Sequence, residues 1–254
     1  MSAPVFLDEP GNLDEYVAGS TYLLCGTEGR HAGVVQRRGP GERIDVVDGA
    51  GVRLRCQILA VAAGGLELDV VERVDEPAPE VRLVLVQALA KGQRDEMAVE
   101  SATEIGVDVV VPWQADRSIV VWRGDRVAKN RARWAACLRA AAKQSRRARV
   151  PDLVPAQDGP GLVRLVREVL TEGGAALVLD QAGSVPVADV GLPSAGGARV
   201  LVVVGPEGGV SEREVASLTE AGAQVVRLGP HVLRSSTAGP VAVAVLAQRL
   251  GRWT

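Results

Sequence analysis

Aromatic side chains make up only 3% of this 254-residue chain, and phenylalanine occurs once. The 47% of residues that are hydrophobic must therefore pack mainly as Val, Leu and Ala, which favours sheets covered by helices over an aromatic-rich sandwich. Cys25, Cys56 and Cys137 are scattered without C-x-x-C spacing, so neither a zinc site nor a disulfide framework is expected. His31 and His231 are the two histidines, too few for a metal-ligand cluster, and no Ser–His–Asp arrangement is visible. The longest apolar run, Val241 to Ala247, is far shorter than the roughly 20 residues that span a bilayer. The acidic start lacks a basic segment followed by an apolar core, so no signal peptide is expected and the protein reads as soluble and cytoplasmic. A net charge of −2 by itself argues against nucleic acid. The distribution argues the other way: between Arg123 and Arg149, ten positions carry Lys or Arg and one, Asp125, carries an acid.

Against these absences stands one informative segment. Leu201 to Val204 is a short β-branched run of the kind buried on both faces of a sheet. It stops in Gly205-Pro206-Glu207-Gly208-Gly209 and restarts at Ser211, three residues before Glu214, a capping-box spacing. Glycines in such a turn let the backbone approach a ligand. In an open α/β sheet, the loop at the carboxyl end of a strand is where small molecules bind. The pattern is neither G-x-G-x-x-G nor a Walker loop, so it announces neither a dinucleotide nor a nucleoside triphosphate. A second strand, Gln224 to Leu228, leads into Gly229-Pro230-His231-Val232-Leu233-Arg234-Ser235-Ser236-Thr237-Ala238. Two such loops after adjacent strands can form opposite walls of one pocket.

This pair of loops resembles the RsmE family of SPOUT methyltransferases. The likeness extends to Gln87–Lys91, Thr103–Gly106, Arg133-Trp134 and Ala142–Pro151, and more weakly through the N-terminal part. It implies methyl transfer from S-adenosylmethionine to N3 of a uridine in 16S ribosomal RNA, on free RNA or the assembled small subunit. It also implies a homodimer, no metal, a trefoil-knotted parallel α/β domain and a PUA-like β-barrel that grips RNA. Another SPOUT enzyme acting on a different base or a ribose 2′-hydroxyl is an alternative, as is a catalytically silent RNA-binding relative. A silent relative should lose the Gly205–Gly209 sequence first, and it is intact here. Two departures stand out. Many members have Leu-Arg-x-Glu-Thr-Ala where this chain has Ser236 in the Glu position, and its first basic residue is Arg30.

Residues 1 to about 75 read as β-rich. Val52, Leu54, Cys56 and Ile58 alternate with polar residues, as do Leu66, Leu68 and Val70, with turns at Pro40-Gly41, Asp48-Gly49 and Gly64-Gly65. Residues 76–80 read as a proline-bearing linker, and 81–254 as alternating strands and helices, hence a mostly parallel sheet with helices on both faces. Strands are expected over Val81–Ala88, Asp108–Val111, Ala175–Leu179, Leu201–Val204 and Gln224–Leu228. Helices are expected near Asp95–Ile105, Arg126–Arg147, Leu162–Glu172, Glu212–Ala221 and Thr237–Leu250.

On the helix Arg126–Arg147, the cations Arg126, Lys129, Arg133, Arg139, Lys143, Arg146 and Arg147 fall on one arc, opposite Val127, Trp134, Leu138 and Ala141. Like charges at such spacing repel, so an anionic partner explains the face better than helix stability does. The expected RNA contacts are Lys91, Arg94, Arg117, Arg133, Arg139, Lys143, Gln144, Arg146, Arg147 and Arg149. Arg234, the only charged side chain in its loop, is the candidate to stabilise a uracil anion, and Glu207 the candidate proton acceptor. The resemblance further implies a cofactor site formed by Leu179, Gly205, Pro206, Glu207, Gly208, Leu228, Gly229, Val232, Leu233, Ser236 and Ala238.

Overall fold

The computed structural model describes residues 3–62, 64–194 and 196–253. It divides into two compact units: residues up to Ala78 together with Ala142–Val150, and Pro79–Ala141 together with the residues from Pro151 onward.

The first unit holds β1 (Val5–Leu7), β2 (Thr21–Leu24), the short α1 (Gly26–Arg30) running on into a π-helical turn, β3 (Arg43–Val47), β4 (Val52–Ala62) and β5 (Gly65–Asp75). They form a five-stranded sheet in the order β1-β3-β4-β5-β2, antiparallel except for the β1–β3 pair. The alternation read from the sequence supplies its core: Leu54, Cys56, Ile58, Leu66, Leu68 and Val70 are buried with Phe6, Ile44 and Val46. Arg53 breaks the alternation by being buried too. Its guanidinium is satisfied by Asp45 at 2.9 Å, Glu76 at 2.7 Å and the carbonyl of Arg146 at 2.9 Å. Burying a charge without such partners costs several kcal/mol, about 3–5 when one member of a pair is removed.

The second unit contains β6 (Arg82–Ala88), α2 (Arg94–Ile105), β7 (Val109–Trp113), α3 (Asp125–Gln144, whose last turn belongs to the first unit), β8 (Asp152–Leu153) and α4 (Gly159–Thr171). It continues with β9 (Ala175–Leu179), β10 (Val185–Pro186), a 3-10 turn at Val187–Asp189, β11 (Arg199–Val204), α5 (Glu212–Glu220), β12 (Gln224–Arg227) and α6 (Ser235–Arg249). Seven strands, all parallel, lie in the order β10-β12-β9-β11-β6-β7-β8. The five strands and five helices expected beyond residue 80 are all present, with ends shifted by a few residues. The two-residue strands β8 and β10 are too short to carry a periodicity.

The strand periodicity explains the layers. Val84, Val86, Val109, Val111, Leu201 and Val203 face α4 and α5, meeting Leu162, Val166, Val169 and Leu218. On the opposite face, α2 packs against α6, and α6 against β6 and β11. The caps follow sequence chemistry: Asp158 accepts from the Gly161 amide at 2.7 Å to start α4. Ser211 and Glu214 form the expected capping box of α5.

Helix α3 corrects one expectation. It ends at Gln144, and Arg146 adopts a left-handed backbone (φ 60°), so Arg146 and Arg147 lie beyond the helix rather than on its face. Trp134, Leu138 and Ala141 are buried as expected, with Trp122 edge-on to Trp134 at 5.3 Å, but Val127 is 38% exposed.

Helix α6 starts at Ser235 and runs straight through Gly239-Pro240, a pair that by sequence rules ends a helix. Proline there forfeits one backbone bond. Gly239 shows what is gained: a Cβ at this position would lie 2.8 Å from Leu85 Cδ1 and 3.4 Å from Val204 Cγ2, so the missing side chain lets α6 sit directly on β6 and β11. Because Leu85 is fully buried and cannot retreat, Gly239→Val is expected to lower stability by about 1–3 kcal/mol, the usual cost of overpacking. Urea denaturation with an unchanged m-value checks this; a neutral effect would show that the contact is loose.

Candidate functional site

Parallel strands deliver their carboxyl ends to one edge of the sheet, and the loops leaving β9, β11 and β12 meet there around a cavity of about 490 Å³. The structure brings together on its wall Leu179 from the first loop; Gly205, Pro206, Glu207 and Gly208 from the second; and Leu228, Gly229, Val232, Leu233, Arg234 and Ala238 from the third. Ser236 is not on that wall. Its neighbour Ser235, the first residue of α6, is there instead, because the helix begins two residues earlier than expected. Sequence reasoning also missed Asp180, Gln181, Arg227 and His231. Asp180 and Gln181 follow directly on β9, so the strand-end rule applied to the other loops would have found them.

The glycine-rich turn keeps its shape through its own backbone and through three clamps. Gly209 adopts φ +72°, the left-handed region that disfavours a side chain, and donates to the Pro206 carbonyl at 2.9 Å. Gly208, expected to lie open to a ligand, has ordinary φ, and a Cβ there would meet the Arg117 side chain at 3.3 Å. Arg117 is the first clamp: its guanidinium donates to the carbonyls of Gly208 at 2.9 Å and Val210 at 3.5 Å. Glu207 is the second, its Oε1 accepting from the Lys91 amide and from Arg94, both at 3.2 Å. Glu214 is the third. Buried on α5, it accepts from the Asp116 amide at 2.7 Å with one oxygen and from the Ser211 amide at 3.0 Å with the other. Asp116 returns the contact: Ser211 Oγ donates to it at 2.9 Å and Arg213 at 2.9 Å, and these bonds hold its carboxyl below the usual carboxylate range.

Lys91, Arg94 and Arg117, expected as RNA contacts, are thus tied through backbone or side chain to the glycine-rich turn. Asp95 steadies the Lys91 loop by accepting from the Ala90 amide at 3.3 Å, and burial pushes its pKa up. Along the basic stretch, Arg133 pairs with Glu96 at 2.5 Å. Lys143 pairs with Glu28 at 2.6 Å and lies over the Phe6 ring. Arg149 donates to the Glu76 carbonyl at 2.8 Å and 3.1 Å. These three cations are each engaged by a partner within the protein. Arg139 is half-buried and Arg147 likewise, whereas Gln144 and Arg146 are exposed. Arg126 and Lys129, on the first turns of α3, are exposed and make no ion pair among the described residues. No cluster of metal-ligating side chains and no helix long and apolar enough to cross a membrane occurs among the described residues.

A parallel α/β sheet with three strand-end loops closed around a cavity of this size has the form in which such folds hold small organic molecules. The chain matches the RNA methyltransferase domain family over residues 76–247, and it belongs to that family. It is similar to the ribosomal RNA small subunit methyltransferase E of Mycobacterium bovis, 43% identical over 92% of this chain and 89% of the relative. The Bacillus subtilis enzyme of the same name is 29% identical over 89% and 90%. Among solved structures, the ribosomal RNA small subunit methyltransferase E of Neisseria gonorrhoeae bound to S-adenosylmethionine superposes with a TM-score of 0.84 at 27% identity, covering 100% of both chains.

The clamps predict a separable effect. Arg117→Ala is expected to speed amide exchange of residues 207–210 about tenfold, as loss of a bond to a charged group should, while the melting temperature stays nearly unchanged. Hydrogen–deuterium exchange resolved to this peptide checks it, and unaltered protection would mean that the turn holds itself.

Proposed function

We propose that this protein transfers a methyl group from S-adenosylmethionine to N3 of a uridine in 16S ribosomal RNA of the small subunit. The observation that carries this reading is the cavity, walled by the two glycine-bearing loops with Arg234 at its mouth. Its volume suits a ligand of that size. A Cβ at Gly229 would meet nothing within 4 Å, leaving room for a flat group against the backbone, and Ser235 contributes a buried hydroxyl with no partner among the described residues. Leu179, Leu228, Val232 and Leu233 supply the apolar surface for adenine and ribose.

S-adenosylmethionine supplies an electrophilic methyl group on a sulfonium sulfur; the chain's residues must do the rest. The accepting nitrogen has to be held about 3–3.5 Å from that carbon, in line. Uridine N3 lies on the pairing edge, so the base enters unpaired. As N3 loses its proton, negative charge spreads over the uracil carbonyls, and the Arg234 guanidinium is the cation placed to stabilise it. Glu207, whose Oε1 already holds the Lys91 amide and Arg94, is proposed to take that proton on its other carboxylate oxygen.

The architecture fits the same reading. The first unit is proposed to be a PUA-like RNA-binding domain, with residues 76–80 as the linker and the second unit as a knotted SPOUT domain. Support for the knot comes from the end of α6, where Arg249 donates to the Val187 and Val190 carbonyls at 3.3 Å and 2.7 Å, tucking this helix beneath the β9–β11 connection. RNA is proposed to lie along α3 at Arg126 and Lys129, exposed cations on that helix that make no ion pair among the described residues. A homodimer is proposed through α6: Val241 is 36% exposed, and Ala244 and Val245 are only half-buried, a continuous apolar stripe at helical spacing. Val245→Glu is expected to yield monomers by sedimentation at micromolar concentration; monomeric wild-type protein would overturn the dimer.

Nucleoside mass spectrometry of small-subunit RNA, with and without the protein, tests the reaction directly. The expected product is 3-methyluridine, and methylation of another base or of a ribose hydroxyl would refute the assignment. Arg234→Ala is expected to lose about 10²–10³ in single-turnover rate while keeping most cofactor affinity by calorimetry. Normal turnover at saturating RNA would remove its assigned role.

A further inference from the structure

Helix α6 opens at the cavity without a cap. Its preceding residue, Arg234, has extended backbone (φ −64°, ψ 152°), makes no side-chain cap bond, and is followed by a first turn without an acidic residue. The amides of Thr237 and Ala238 both reach back to the Arg234 carbonyl, at 2.8 Å and 2.9 Å. Those of Ser235 and Ser236 make no hydrogen bond among the described residues, as the first groups of a helix do when nothing caps them. Together these free N–H groups and the aligned peptide dipoles favour negative charge.

An independent observation points to a ligand. Ser235 lines the cavity, is only 8% exposed, and its Oγ finds no hydrogen-bond partner among the described residues. A buried hydroxyl left unpaired costs on the order of 1–3 kcal/mol, so such groups in folded proteins are normally answered by something. The charges around it decide its sign. Arg227 and Arg234 line the cavity without ion-pair partners among the described residues, Arg94 is paired with Glu207, and the one other acid on the wall, Asp180, already accepts from the Ala182 amide at 2.8 Å. The balance at the helix end is cationic.

We infer that the N-terminus of α6 is an anion subsite, in which the Ser235 hydroxyl and amide receive a carboxylate or phosphate oxygen beside Arg234. The inference rests on the proposed reading of the cavity. Two sources supply such an oxygen there: the carboxylate at the amino-acid end of S-adenosylmethionine, and a phosphate flanking the target nucleotide.

Calorimetry of three probes against wild type, Ser235→Ala and Ser235→Asp separates them. The probes are S-adenosylmethionine, 5′-methylthioadenosine, which lacks the amino-acid end, and a small-subunit RNA fragment. Removing one hydrogen bond to a charged group is expected to weaken binding about tenfold, and the added carboxylate of Ser235→Asp more, because it brings its own negative charge to the helix N-terminus and repels the ligand. Loss for S-adenosylmethionine with methylthioadenosine unchanged assigns the carboxylate; loss for RNA alone assigns the phosphate. Equal loss for both small molecules, or no loss for any probe in variants that melt like wild type, overturns the subsite. Wild-type protein that binds no S-adenosylmethionine would instead overturn the reading of the cavity itself.

Discussion

The close approach of α6 to the sheet at Gly239 is the contact on which the site depends. With Leu85 and Val204 directly beneath it, the helix axis is fixed against the middle of β6 and the end of β11, and the first turn of α6 has one place to go. That place is the cavity, where Ser235 and Arg234 face the turn that β11 itself feeds. A helix standing off by the thickness of one more side chain would carry these residues away from the glycine-rich turn. Packing, rather than any polar contact, thus sets the geometry of the polar groups.

Electrostatics in this chain serves mainly to fasten loops. Arg53 is buried among Asp45, Glu76 and the Arg146 carbonyl; Arg149 is bound to the Glu76 carbonyl; Arg252 reaches Val81, Gly106 and Asp108. Guanidinium groups suit this work, since their several donors answer carbonyls that would otherwise be stranded. The density of positive charge along the sequence therefore overstates the positive charge available to a partner.

That difference marks where the sequence is legible. Strand and helix positions in the second unit followed from hydrophobic period, and the Ser211–Glu214 cap from its spacing, because both are local properties. The pocket loops were legible because glycine and proline punctuate strand ends. What stayed hidden needed tertiary information. That Gly239 would seat α6 directly on the sheet depended on Leu85 and Val204. That Arg117 would serve the glycine-rich turn depended on a partner about 90 residues away. That Arg133 and Lys143 would be consumed by Glu96 and Glu28 was invisible to a helical wheel, which shows one helix and none of its neighbours. The register of Ser235 against Ser236 turned on a helix start, the least certain thing that periodicity can locate.

Glu214 caps its own helix with one oxygen and holds the Asp116 amide with the other, while Asp116 binds the capping Ser211 and its neighbour Arg213. Four side chains thereby share one network, and none can change without altering what the others bind. Substitutions at positions 116, 211, 213 and 214 should consequently be strongly epistatic, with coupling energies on the order of 0.5–3 kcal/mol. A drifting sequence would leave this corner intact or replace it as a block, so these four positions constrain one another more tightly than their exposure alone suggests.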